Sequence, residues 1–197
     1  MTGAELITWE QCKAVTEELF NRQETLNDDF VNKLDQSTGI YLITYAGNEL
    51  GGRIFSTNDT PQVIFVGSCK PESSRHFKCG TTGTSTIRRS LAALLASRLD
   101  LVPIPRSSDI NDNDRYDNYT LTAEGEEKLT AWMKDNFKVA YYEVPADQVE
   151  AMKLALVGYA VPMFNFQHNP ENKYGAEIKI ARKRLAAEAK KNEADNN

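Results

Sequence analysis

Two short apolar runs limit what this chain can fold into more than any other feature of it. Gly39-Ile40-Tyr41-Leu42-Ile43-Thr44-Tyr45 is built almost wholly from branched and aromatic residues, and Val63-Ile64-Phe65-Val66-Gly67 follows after a turn-rich connection from Ala46 to Pro61. Side chains of this kind fit a pleated surface, so both runs are expected to be strands. The second is short and apolar enough to sit in the middle of a sheet. Lys138 to Val144 reads as a third strand. The remaining periodic segments read as helices. One spans 8–22 with Thr8 as N-cap and Trp9, Cys12, Leu19 and Phe20 apolar. Another runs from Asn27 or Asp28 to about Leu34. Thr84 or Ser85 caps a helix through Leu99, whose Ile87, Leu91, Leu94 and Leu95 share one face. Thr122 opens a further helix carrying Leu129, Trp132 and Met133. One more starts near Pro145 and ends about Gly158, and a basic helix runs from Tyr174 to about Asn192 before a frayed tail.

The fold class expected is therefore mixed α/β, a small central β-sheet of about three strands flanked by helices. The segmentation expected is an N-terminal helical extension over 1–37, a domain over 38–170 with an irregular insertion around 101–120, and a basic C-terminal helix and tail over 171–197. No apolar run approaches the ~20 residues that span a bilayer, and the first ten residues lack a secretory pattern, so a cytoplasmic location and no membrane partner are expected. Three cysteines, Cys12, Cys69 and Cys79, are too few and odd in number for a disulfide framework. Cys69, His76 and Cys79 would need His168 to complete a zinc set, and reduced thiols are the expectation.

The net charge of −5 is unevenly spread. Residues 1–36 hold eight acids against three bases, residues 67–90 five bases against one acid, and residues 173–191 seven bases against two acids. A surface that seeks phosphate can be local, so the mean charge does not exclude one. For 173–191 the stronger reading is a solvated helix face.

Gly39-Ile40-Tyr41 and Phe65-Val66-Gly67 resemble the paired motifs of the GIY-YIG nucleases. Their context strengthens the likeness. Arg75 follows Gly67 by eight residues, close to where that family carries an arginine. Val161-Pro162-Met163-Phe164-Asn165 resembles its closing Pro-x-hydrophobic-Asn signature. The stretches Gly80 to Leu95 and Glu124 to Met133 resemble a bacterial branch of the family. The resemblance covers about residues 38–185 and implies a GIY-YIG nuclease-like fold, a nucleic-acid partner (DNA by expectation) and Mg²⁺ or Mn²⁺ as cofactor.

Phosphodiester hydrolysis needs an activated water, neutralisation of charge on the phosphoryl oxygens, and help for the leaving oxygen; a metal held by a carboxylate serves the last two. By resemblance, Tyr41 is the general base and Arg75 the phosphate clamp, a place suited to a planar fork that makes two charge-assisted hydrogen bonds. His76 either assists Arg75 or is an ordinary surface histidine. Phe65 stands where the family usually has a second tyrosine, and its ring offers no hydrogen bond to a water. The position twelve before Asn165 is Lys153, which repels a divalent cation. Glu150, fifteen before Asn165, is either the metal ligand after a shift in register or half of an i, i+3 ion pair with Lys153. Lys70, Arg75, Arg88, Arg89, Lys153 and Asn165 complete the candidate nucleic-acid contacts. Arg88 and Arg89 follow a Gly-Thr loop that lacks the Gly-Lys-Ser/Thr of a nucleotide loop. That helix start either binds a phosphate or is a plain capped helix with exposed arginines. Two functional classes stay open: a metal-dependent endonuclease, and a binding module derived from one that has lost cleavage.

Overall fold

Strand β2 (Gly39–Tyr45) is buried along its whole length, as an unbroken apolar run requires of a strand covered on both faces. In the computed structural model, which describes residues 7–47, 49–50, 53–54 and 62–195, β2 lies between β5 (Gln62–Cys69) and β8 (Phe137–Glu143), antiparallel to both. The two-residue strand β1 (Glu24–Thr25) pairs with the free edge of β8. The sheet is thus four-stranded, order β1-β8-β2-β5, one strand more than expected, because two residues carry no readable period. Most of the turn-rich connection from Ala46 to Pro61 lies outside the described residues; within it, β3 (Glu49–Leu50) pairs with β4 (Arg53–Ile54).

The chain forms two compact units. The first contains the four-stranded sheet with α1 (Trp9–Asn21), α2 (Asp28–Leu34) and α5 (Val149–Ala160). Helix α1 starts at a complete capping box, Thr8 and Gln11 each bonding the other's backbone N–H. Its Cys12, Val15 and Leu19 join Ile40, Leu42, Val66 and Ala140 of the sheet and Met152, Leu156 and Val157 of α5 in one core. The N-terminal helix is therefore part of the same body as the motif strands. Helix α5 begins at Val149, later than the turn at Pro145 suggested, because Gln148 N–H closes a turn on the Pro145 carbonyl first.

The second unit contains α3 (Thr86–Leu99), most of α4 (Ala123–Asn136) and α6 (Gly175–Asp195), with β6 (Pro103–Ile104) paired to β7 (Thr120–Leu121). That pair closes the irregular stretch, which Arg106 and Asp112 tie internally at 2.8 Å. Ser85 caps α3 through the Arg88 N–H. Among the described residues no helix is long and apolar enough to cross a membrane.

Candidate functional site

Register decides which motif residues meet. Tyr41 stands opposite Gly67, and Ile43 opposite Phe65. Side chains alternate along a strand, so Ile40, Leu42 and Val66 face the core under α1 and α5. Tyr41, Phe65 and Gly67 therefore project from the other face. There the Tyr41 and Phe65 rings lie 5.9 Å apart. A Cβ at position 67 would overlap the Tyr41 ring, which gives this glycine a packing reason. Tyr41 itself is 1% exposed.

The segment after α5 runs along the outer edge of β5. Helix α5 ends at Val161, a β-branched residue in the left-handed region (φ 46°). The Phe164 N–H then donates to the Ile64 carbonyl at 3.0 Å. Asn165 completes the edge: the Val66 N–H donates to its Oδ1, and its Nδ2 donates to the Val66 carbonyl, both at 2.9 Å. Both ends of its amide are bonded to backbone, and its task is to satisfy an edge strand that would otherwise be open.

Glu150 and Lys153 form the ion pair that their spacing allowed. Lys153 Nζ donates to both carboxylate oxygens, at 3.0 and 3.1 Å, with side chains 65% and 27% exposed. Glu150 sits in the first turn of α5 on the wall of a concavity of about 390 Å³, together with Ser37, Thr38, Ser68 and Lys70. Helix α5 packs on the sheet face opposite the Tyr41 ring. The donor set fits a divalent cation poorly. A single carboxylate is offered, an ammonium bridges both of its oxygens, and among the described residues no three Cys, His, Asp or Glu side chains gather into a metal-holding set.

The remaining candidates lie in the second unit. Arg75 is half-buried in the 3₁₀ turn Ser73–His76, and its carbonyl accepts from Thr81 Oγ1 at 2.5 Å. His76 Nδ1 shares a 2.9 Å hydrogen bond with Ser85 Oγ, so this imidazole is tied to the cap of α3. Arg88 and Arg89 are not the exposed pair expected; they are 0% and 7% exposed. The Arg88 guanidinium donates to Glu126 Oε2 at 2.7 Å, to Thr82 Oγ1 and to Thr130 Oγ1. Glu126 also accepts from Gly80 N–H, Thr82 N–H and Thr120 Oγ1. Burial alone would raise the Glu126 carboxyl; Arg88 and these donors outweigh it and hold the pKa below the usual value. The Gly-Thr loop thus donates from Gly80 and Thr82 to a buried glutamate. Glu126 had a signal in the sequence, since it falls three and seven residues before the buried Leu129 and Met133 on one helix stripe.

The thiols are free. Cys12 and Cys69 are buried and Cys79 is exposed, and burial pushes the Cys69 thiol up to about 12 against a partial pull down from Lys33, leaving it unreactive.

No curated protein and no solved structure matches the chain. The model of the GIY-YIG catalytic domain matches residues 39–184, well over half of the sequence, and the chain belongs to that family.

Proposed function

We propose that this protein is a nucleic-acid-binding member of the GIY-YIG family, with DNA as its partner, in which metal-dependent cleavage is strongly reduced. The family supports nuclease-type nucleic-acid processing; the Lys153 bridge across both oxygens of Glu150 carries the finer reading. An exposed i, i+3 pair contributes only a few tenths of a kcal/mol, so Lys153 does not lock the carboxylate. Its charge matters more than its bond. An ammonium about 4 Å from a dication repels it by about 2 kcal/mol even at the dielectric of water, roughly a thirtyfold loss in affinity. Mg²⁺ or Mn²⁺, the cofactor this chemistry calls for, thus meets one compromised ligand. Phe65 removes the hydroxyl that would steer a water beside Tyr41. In this reading Arg75 clamps a phosphate with His76 beside it in sequence, while Lys70 and Lys153 supply charge where a nuclease would hold metal. A cytoplasmic location belongs to the same reading.

A second reading keeps Tyr41, Arg75 and Glu150 as a working metal-dependent endonuclease. It is favoured by the exposure of Glu150 on the wall of its concavity.

Fluorescence anisotropy of the full chain on labelled duplex DNA, at several salt concentrations, tests the binding claim. Affinity is expected to fall as salt rises, with Arg75→Ala weakening it about tenfold and lowering the salt slope. Glu150→Gln is expected to bind as the wild type does. Unchanged binding in both Arg75→Ala and Lys70→Ala would reject the proposal.

A further inference from the structure

The 3₁₀ turn that carries Arg75 is too short to satisfy its own carbonyls. It runs only from Ser73 to His76, and the last carbonyl groups of so short a turn must find partners outside it. The Arg75 carbonyl finds one in Thr81 Oγ1 at 2.5 Å, and the same hydroxyl lies 2.5 Å from the Lys78 carbonyl. One proton is shared between two acceptors. Thr81 therefore draws the exit of the turn and the exposed residues Lys78 and Cys79 into one closed loop. Phe77, inside that loop, is buried and anchors it.

Thr81 is itself held from both sides. The Gly80 and Thr82 N–H groups donate to Oε2 and Oε1 of Glu126, each at 3.2 Å. The Thr81 carbonyl accepts from the N–H and the Oγ1 of Thr84, each at 3.1 Å. Glu126 in turn is fixed by Arg88. Gly80 has φ 79° and no atom within 4 Å of where a Cβ would stand, so conformation and not crowding calls for glycine at this bend. Ser85 repeats the arrangement for the next residue of the turn. Its Oγ shares the 2.9 Å bond with His76 Nδ1 and accepts from the Arg88 N–H. Residues 80–85 thus reach both Arg75 and His76, and all of these contacts lie within the second unit.

We propose that Thr81 is a positioning residue for Arg75: its hydroxyl, aimed by the Glu126-bound backbone on either side, sets the turn from which Arg75 reaches a nucleic-acid phosphate. The role rests on the phosphate clamp assigned to Arg75 above. A long side chain binds a phosphate more tightly when its backbone is already ordered, because less freedom is lost on binding. Thr81 carries no charge, so removing its hydroxyl leaves the electrostatic attraction of the chain for DNA intact.

The test uses the full chain in two arms, carbonyl ¹³C NMR of the protein alone and anisotropy on labelled duplex DNA. Thr81→Val keeps the shape of the side chain and loses the hydroxyl. It is expected to move the Arg75 and Lys78 carbonyl signals and to weaken DNA about fivefold, while Thr81→Ser stays within about twofold of the wild type. In an Arg75→Ala background Thr81→Val is expected to add nothing, since it acts through a side chain already removed. Gly80→Ala, which keeps the hydroxyl but strains the backbone that aims it, is expected to weaken DNA in the same direction, so the role does not hang on one variant's folding. Unmoved carbonyl signals in Thr81→Val would overturn the role. So would DNA affinity unchanged in Thr81→Val and Gly80→Ala but reduced in Arg75→Ala, an outcome that leaves the proposed function standing. An undiminished loss from Thr81→Val in the Arg75→Ala background would overturn it as well, because Thr81 would then act elsewhere. DNA affinity unchanged in Arg75→Ala would overturn the role together with the clamp.

Discussion

Two glutamates of this protein each meet a cation, with opposite consequences. Glu126 is 3% exposed and bound to a fully buried Arg88; Glu150 is largely exposed and bound to Lys153. In the first pair both charges have left water, and every lone pair must be answered within the protein. Five donors do so, from Gly80, Thr82 (twice), Arg88 and Thr120. In the second pair water does most of the solvation and the bond itself is weak. The first pair is a structural hub that a ligand cannot reach. The second is open to a ligand but carries the wrong neighbour for a metal.

The contrast predicts a graded series. The largest effect belongs to Glu126→Ala, which strands the Arg88 guanidinium in the interior and is expected to lower stability by about 3–5 kcal/mol in chemical denaturation. Replacing both partners with apolar residues of similar volume is expected to recover much of that loss. The same pair sets an acid limit. The folded Glu126 pKa lies below its ordinary 4.5, so its stabilisation is fully present above that value and is lost as pH falls through the folded pKa. A denaturation series from pH 6 to pH 3 is expected to show the wild type losing this contribution below about 4.5, while Glu126→Gln lacks that component. Next comes Asn165→Ala, which leaves the Val66 N–H and carbonyl without their amide partner and is expected to cost about 1–3 kcal/mol. The smallest effect belongs to Glu150→Gln, a few tenths of a kcal/mol. A stability loss above about 1 kcal/mol in Glu150→Gln would erase the distinction between the pairs.

The strands were legible because β2 and β5 are strongly apolar, and their three-letter motifs meet across the pair at Tyr41 and Gly67. The helix caps at Thr8, Asn27 and Ser85 were equally readable, since each needs only a short polar side chain before an amphipathic run. Strand β1 was not legible: two residues, paired to a strand more than a hundred positions away, carry no local signal. Arg88 and Arg89 were misplaced for a different reason. Charge argued for the surface, although Arg88 lies three, four and seven residues before the buried Leu91, Ala92 and Leu95. Periodicity held the better information, as it did for Glu126 on α4. Asn165 was found by its motif, but what its amide bonds to depends on how the chain returns to the edge of β5. For Glu150 and Lys153 the spacing offered the ion pair and the metal ligand together, and only side-chain placement shows the pair formed.

Lys153, with Phe65, is proposed above to suppress cleavage in a scaffold proposed to bind nucleic acid. A nicking assay on supercoiled DNA with Mg²⁺ or Mn²⁺ addresses it directly, comparing the wild type with Glu150→Gln and with the double variant Lys153→Glu, Phe65→Tyr. The wild type and Glu150→Gln are expected to be nearly inert, and the double variant to gain metal-dependent nicking. Metal-dependent nicking by the wild type that disappears in Glu150→Gln would contradict that suppression and identify Glu150 as a working metal ligand despite its lysine.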